Sequence, residues 1–307
     1  MPLLPFTKLH GLGNDFALFD GLDVALPAWL TDPEGVQQLC DRRFGIGGDG
    51  LLLLLPSNTS ALGRMRVLNA DGSEPEMCGN GLRCVAHYLV QHHGASAERP
   101  FHVETGAGLL PCLVVEASVE GAPSRISVEM GKPSLEPKDL PMEANEPQID
   151  VPLSCEGRIF TGTAVSMGNP HFVIFEDDPR ANLQQLARDF GPVLEHHPSF
   201  PNRVNVEFVR VHNASAMEAW VWERGTGLTL ACGTGACAVG VAATLTKRVG
   251  PGPLSITLPG GDLEIVVAAD LSGVTMTGPA VESYRGKVPI GSSGLISPGR
   301  PAIQARQ

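Results

Sequence analysis

Cys78-Gly79-Asn80-Gly81 and Cys232-Gly233-Thr234-Gly235 repeat one phrase, and each opens an apolar run of helical character. A thiol at a helix N-terminus lies where backbone N–H groups lack partners and the peptide dipoles favour negative charge. Its pKa, about 8.5 when free, is expected to fall there. The small neighbours leave N–H groups uncovered for an anionic ligand. Two such thiols facing each other across one carbon would take a proton from one side and return one to the other. Cys84, Cys112, Cys155 and Cys237 sit in apolar runs instead and read as small buried hydrophobes. No histidine set accompanies the Cys-x5-Cys and Cys-x4-Cys spacings, so no metal centre is expected.

Other residues able to do chemistry are scattered along the chain. Asn14, Asn69, Asn80, Asn169 and Asn205 lie in polar turns beside apolar strands, where a single asparagine reads as a turn residue. Glu223-Arg224 pairs a carboxylate with a guanidinium, groups suited to an ammonium and a carboxylate; the plain alternative is a surface ion pair. His171, in Gly-Asn-Pro-His, offers a base poised near neutral pH. His92-His93 and His196-His197 read as solvated. Gly45-Ile46-Gly47-Gly48-Asp49-Gly50 matches G-x-G-x-x-G, but a strand follows it where a nucleotide fold needs a helix.

These residues recur in one order. His10-Gly11-Leu12-Gly13-Asn14-Asp15-Phe16 is similar to Ser166-Met167-Gly168-Asn169-Pro170-His171-Phe172, and each leads into an apolar strand. Asn14 precedes Cys78 by 64 positions and Asn169 precedes Cys232 by 63. The strand-like Arg64–Asn69 and Met217–Glu223 lie between them. Two copies of one α/β unit follow, with a boundary near residue 130 and a Pro-rich crossing through Pro152 that is expected to lack regular structure. Strand-like segments outnumber helices, which predicts mainly antiparallel pairing. Helices are predicted over 32–42, 81–92, 183–190 and 235–247. The last is apolar on every face, so it should be buried all round, inside a sheet.

At 307 residues the chain is long enough for two domains, each with its own core. A formal net charge of −11 without a basic stripe argues against nucleic-acid binding. No apolar stretch is long enough to cross a membrane and no signal peptide is evident. Seven irregularly spaced cysteines fit reduced thiols in a cytoplasmic protein.

Taken together, His10–Phe16, Asn69–Glu74, Met77–Cys84, Met167–His171, Arg203–Asn205, Glu223–Gly227 and Ala231–Cys237 resemble the motifs of the diaminopimelate epimerases, in order, over residues 3 to about 286. The resemblance implies an α+β fold of two pseudo-symmetric domains, each a mixed or antiparallel sheet around a central helix, with the active site in the cleft between them. The N-terminal half would span 1–129 with a returning segment 279–286, the C-terminal half 130–278, and 287–307 a disordered tail. It implies a homodimeric epimerase with no cofactor and no metal, interconverting LL- and meso-2,6-diaminopimelate on the route to lysine and peptidoglycan. Cys78 and Cys232 would be the acid/base thiols, tuned by His171 and Glu223. Asn14, Asn69, Asn169, Asn205, Glu223 and Arg224 would bind the substrate, whose carboxylate would meet the backbone at Gly79, Asn80, Gly233 and Thr234. Tyr284 would lie near the dimer contact. Gly50 stands where some family members carry a Gln. The rival readings are a proline or hydroxyproline racemase-like enzyme with the same two-thiol layout, and a non-catalytic ligand-binding protein with a redox cysteine pair.

Overall fold

Two passes through one order of elements build the chain. The computed structural model describes residues 2–75, 77–118 and 122–291. The first pass comprises β1 (Leu3–Gly11), β2 (Asn14–Asp20), α1 (Pro33–Cys40), β3 (Gly50–Leu55), β4 (Arg64–Asn69), α2 (Gly79–His93), β5 (Phe101–Thr105), β6 (Gly108–Glu116) and β7 (Ser124–Glu129). Then comes β8 (Val151–Cys155). The second pass runs through β9 (Arg158–Ser166), β10 (Pro170–Phe175), α3 (Leu183–Glu195), β11 (Asn205–Asn213), β12 (Ala216–Glu223) and the short β13 (Gly227–Leu228). It ends with α4 (Gly233–Leu245), β14 (Leu254–Leu258), β15 (Gly261–Val267) and β16 (Val274–Pro289).

Pairing repeats with the order. β2 is parallel to β3 and β4 to β5, as β10 is to β11 and β12 to β14. The other neighbouring strands are antiparallel. Parallel neighbours need a crossover, and these four crossovers carry α1, α2, α3 and α4. The chain therefore adopts the two-domain α+β fold expected from its doubled motifs.

β16 serves both halves. Its first residues pair with β15 and β7, and from Val281 to Pro289 it pairs with β1. Those contacts close β1 to β7 and β16 into a ring. Lys287, Val288 and Pro289, read from sequence as the start of a tail, belong to this strand opposite Pro5, Leu4 and Leu3. The tail residues 292–307 lie outside the described residues.

The two central helices share one core. Leu82, Val85 and Leu89 of α2 share a contiguous apolar cluster with Ala236, Val239 and Val241 of α4. The expectation of a separate core per domain is thus corrected. Small residues let α4 approach the sheet closely: a Cβ on Gly240 would lie 2.8 Å from Ile265. Burying each large aliphatic side chain here contributes about 1.5–3 kcal/mol. Two smaller clusters lie elsewhere, one around Leu30, Val36 and Leu39 by α1 and one around Leu183, Leu186 and Leu194 by α3.

The halves also interlock at their tips. The β1–β2 turn holds Leu12 at φ 56° and Gly13 at φ 83°. A branched side chain resists that left-handed conformation. Packing holds it: Leu12 is buried, and its carbonyl would lie 2.0 Å from any Cβ on Gly260. The residue after this turn is Asn14.

Several elements escape sequence reading. Proline interrupts β1 and β8. Pro5 sits where β1 pairs with β16 alone, and Pro152 lies on the edge strand β8, both places where a missing N–H is tolerated. β8 thus begins inside the Pro-rich crossing expected to be irregular. α3 continues past Phe190 through Gly191-Pro192 to Glu195. Glu195 fastens that last turn: its Oε2 accepts from Trp222 Nε1 at 2.8 Å and its Oε1 from the Gly225 N–H at 2.9 Å.

Candidate active site

Each repeated cysteine is the N-cap of a central helix. Cys78 and Cys232 have extended backbones, and their sulfurs accept the N–H groups of Gly81 and Gly235, both at 3.4 Å. The helices start at Gly79 and Gly233, as the N-cap rule requires of a side-chain acceptor followed by free N–H groups. Both starts are buried against Met276, whose thioether lies 2.6 Å from a Cβ placed on Gly79 and 3.2 Å from one on Gly233.

Asn80 spans the two phrases. Its Nδ2 donates to Ala231 O at 3.0 Å, immediately before Cys232, and to Asn14 Oδ1 at 3.1 Å. Its Oδ1 accepts from Arg83 Nη2 at 2.8 Å. The Asn80 side chain is fully engaged, so it offers a ligand its backbone only. Asn14 Nδ2 donates in turn to Asp49 Oδ2 at 2.9 Å, and Arg42 bridges Asp49 and Asp15. Gly50, next to Asp49, lies in β3, where a Cβ would come within 2.4 Å of Leu68 O.

A second polar chain serves Cys232. His171 is wholly buried, with Nδ1 2.7 Å from Glu207 Oε1 and Nε2 3.0 Å from Asn169 Oδ1. Asn169 Nδ2 donates to Thr234 Oγ1 at 3.3 Å, and that hydroxyl lies 3.6 Å from Cys232 Sγ. Asn205 Nδ2 donates to Pro170 O at 2.8 Å, while its Oδ1 accepts the Arg224 N–H at 2.8 Å. Glu223 accepts from Thr229 Oγ1. Asn69 stands apart from these contacts, its Nδ2 donating to Ser73 Oγ at 2.9 Å.

Electrostatics correct one expectation. Burial pushes the Cys78 thiol up and the Cys232 thiol well up, and Glu223 acts in the same direction on both. The Gly81 and Gly235 N–H groups pull downward, as a helix start should, but do not prevail. Burial also raises the Glu223 carboxyl, against the hydrogen bond of Thr229, the charge of His171 and the Cys232 thiol. Cys84, Cys112 and Cys237 are pushed by burial to about 12, which leaves them inert. Among the described residues no group of three or more His, Cys, Asp or Glu is placed to hold a metal ion.

Glu207 is the site residue that sequence reading missed. It is wholly buried, and a Cβ on Gly235 would lie 2.9 Å from its Oε1, at the start of α4. A signal existed: a lone carboxylate inside the apolar strand Val204–Val209.

The family model described as diaminopimelate epimerase matches residues 6–136 and 163–282. The diaminopimelate epimerase of Moorella thermoacetica is 47% identical over 287 residues, covering 93% of this chain and 99% of that protein. That of Synechocystis sp. is 45% identical over 292 residues, covering 94% and 99%. Among solved structures, a hydroxyproline epimerase from Agrobacterium vitis with bound trans-4-hydroxy-L-proline superposes with a TM-score of 0.67 at 17% identity, covering 94% of this chain and 91% of the other. That last likeness is one of fold.

Proposed function

This chain belongs to the diaminopimelate epimerase family, and from that premise we infer that it uses Cys78 and Cys232 as the acid/base pair of that reaction. It is an isomerase, interconverting LL- and meso-2,6-diaminopimelate. The observation that carries the two-thiol reading is that both N-cap thiols belong to helix starts bridged by one side chain, Asn80, and feel one carboxylate, Glu223.

Inversion needs a base on one face of the α-carbon and an acid on the other. One thiolate takes the α-proton and the opposite thiol delivers its own, so the pair exchanges protonation states with each turnover. With no electron sink on the chain, charge grows on the substrate carboxylate. The backbone N–H groups at Gly79–Asn80 and Gly233–Thr234 would receive it. Asn14, Asn69, Asn169, Asn205, Glu223 and Arg224 would hold the distal amino-acid head, whose binding orients the reacting carbon. His171 and Glu223 would tune Cys232, His171 through Asn169 and Thr234.

A proline racemase-like reaction is not favoured, because that likeness rests on the fold alone, at 15–17% identity. We assign the enzyme to lysine and cell-wall precursor synthesis, and the reduced state of its cysteines suits the cytoplasm. Separately, no described helix is long and apolar enough to cross a membrane. A homodimer is proposed through the face of β16 bearing Tyr284, which is half exposed beside Phe6. The deciding experiment incubates LL-diaminopimelate in deuterated water. One solvent deuteron at the α-carbon should accompany each inversion; inversion without label would refute the two-thiol mechanism.

A further inference from the structure

Arg83 is a wholly buried cation. Its Nε donates to Pro279 O at 3.2 Å, its Nη1 to Gly79 O and Met276 Sδ at 3.4 Å, and its Nη2 to Asn80 Oδ1 at 2.8 Å. Among the described residues it makes no ion pair. Two glycines make space for it: a Cβ on Gly11 would lie 2.9 Å from Nη2, and one on Gly278 3.2 Å from Cζ. A charge taken out of water without a counter-ion costs several kcal/mol in general, and a neutral side chain would fill such a space more cheaply. The nearby groups able to become anionic are thiols, those of Cys84, Cys78 and Cys237. Of these Cys78 alone belongs to the site, five residues earlier on the same helix.

The other thiol has the opposite surroundings. Cys232 feels the charge of Glu223, and Glu207, paired with His171, lies beside Gly235 on the first turn of α4. Thus Cys78 faces Arg83 and Glu223, whereas Cys232 faces Glu223 and Glu207. We propose that Arg83 is the fixed cation that makes Cys78, rather than Cys232, the first of the two thiols to ionise in the free enzyme. Cys78 then starts as the base and Cys232 as the acid. Arg83 touches no substrate; it is a positioning residue that acts on charge. Burial and Glu223 push both thiols up, but Arg83 opposes them at Cys78, whereas Glu207 adds to them at Cys232. This deepens the two-thiol reading and rests on it.

The test is alkylation of the full-length, substrate-free protein by iodoacetamide across a pH series, with each cysteine followed separately by mass spectrometry. Thiolate is the reactive form, so each midpoint reports one thiol whatever its exposure. The Cys78 midpoint should lie below that of Cys232. Arg83→Gln should slow Cys78 about tenfold at a fixed pH below its midpoint, a shift of about one unit. The Cys232 profile should hold, and Arg83→Lys should recover most of the rate. Arg83→Met, closer in shape and apolar, replaces the Gln variant if that one does not fold. A wild-type Cys232 midpoint below that of Cys78, or an unmoved Cys78 midpoint in a folded variant without the cation, overturns the proposal. Neither readout involves turnover: an inactive protein with ordered midpoints would sink the function alone.

Discussion

Asn80 Nδ2 lies 3.0 Å from Ala231 O, and this one hydrogen bond joins the phrase that holds Cys78 to the phrase that holds Cys232. The same amide accepts from Arg83 and donates to Asn14. One residue therefore sets the relation between the two helix starts, the buried cation and the tip of the β1–β2 turn.

Replacing Asn80 by Ala should lower stability by about 3 kcal/mol. It strands the Arg83 donor and the Ala231 and Asn14 acceptors, and each buried orphan costs about 1–3 kcal/mol. Urea unfolding measures the loss. A change under about 1 kcal/mol would mean that the two halves are held together by apolar packing alone.

Cys78→Ala and Cys232→Ala should each reduce epimerisation by at least about 100-fold, the lower range for a lost general acid or base. Each variant should still fold, since losing an N-cap costs about 1 kcal/mol. Near-normal turnover by either variant, with circular dichroism unchanged, would remove that thiol from the mechanism.

Glu207→Ala leaves His171 buried beside an empty space. Breaking such a pair from one side should cost about 3–5 kcal/mol, seen as a lowered melting temperature in calorimetry. Glu207→Gln keeps an acceptor for His171 Nδ1 and should cost clearly less. Equal losses in the two variants would show that packing, not the hydrogen bond, governs this position.

Asp15 sets an acid-side limit. Burial pushes its carboxyl up, but the hydrogen bonds and charges of Arg42 and Lys8 outweigh burial and hold it at about 2, below the usual 3.8. A lowered folded-state pKa stabilises the protein fully above pH 3.8, and the contribution fades as pH falls towards about 2. Asp15→Asn should therefore be about 2 kcal/mol less stable than wild type at pH 7, with the gap closing below pH 3.8. Unfolding free energies measured at both pH values check the sign; a gap that widens in acid would reverse it.

Much of the site was legible because it is written twice. The matched Cys-Gly-x-Gly phrases and the 64- and 63-residue spacings identify Cys78 with Cys232 and Asn14 with Asn169, since small residues and turn residues at fixed distances reflect backbone demands that are local. The four central and outer helices announce themselves by composition for the same reason. β1 and β8 did not, because a proline is tolerated only where the neighbouring strand is absent, and absence of a neighbour is a fact of the sheet.

By itself the sequence determined the doubled α+β plan, the two thiols at helix starts and the family. Those follow from residue types at short range. Only the tertiary structure decided which charges each thiol meets. Arg83 and Cys78 sit on one helix, but Glu223 and Glu207 arrive from β12 and β11, and burial makes every one of these charges count. It raised both thiols where the helix start alone would have lowered them, and it merged two expected cores into one around Met276. Solvent exclusion is a collective property of the packed chain, which is why no local pattern announces it.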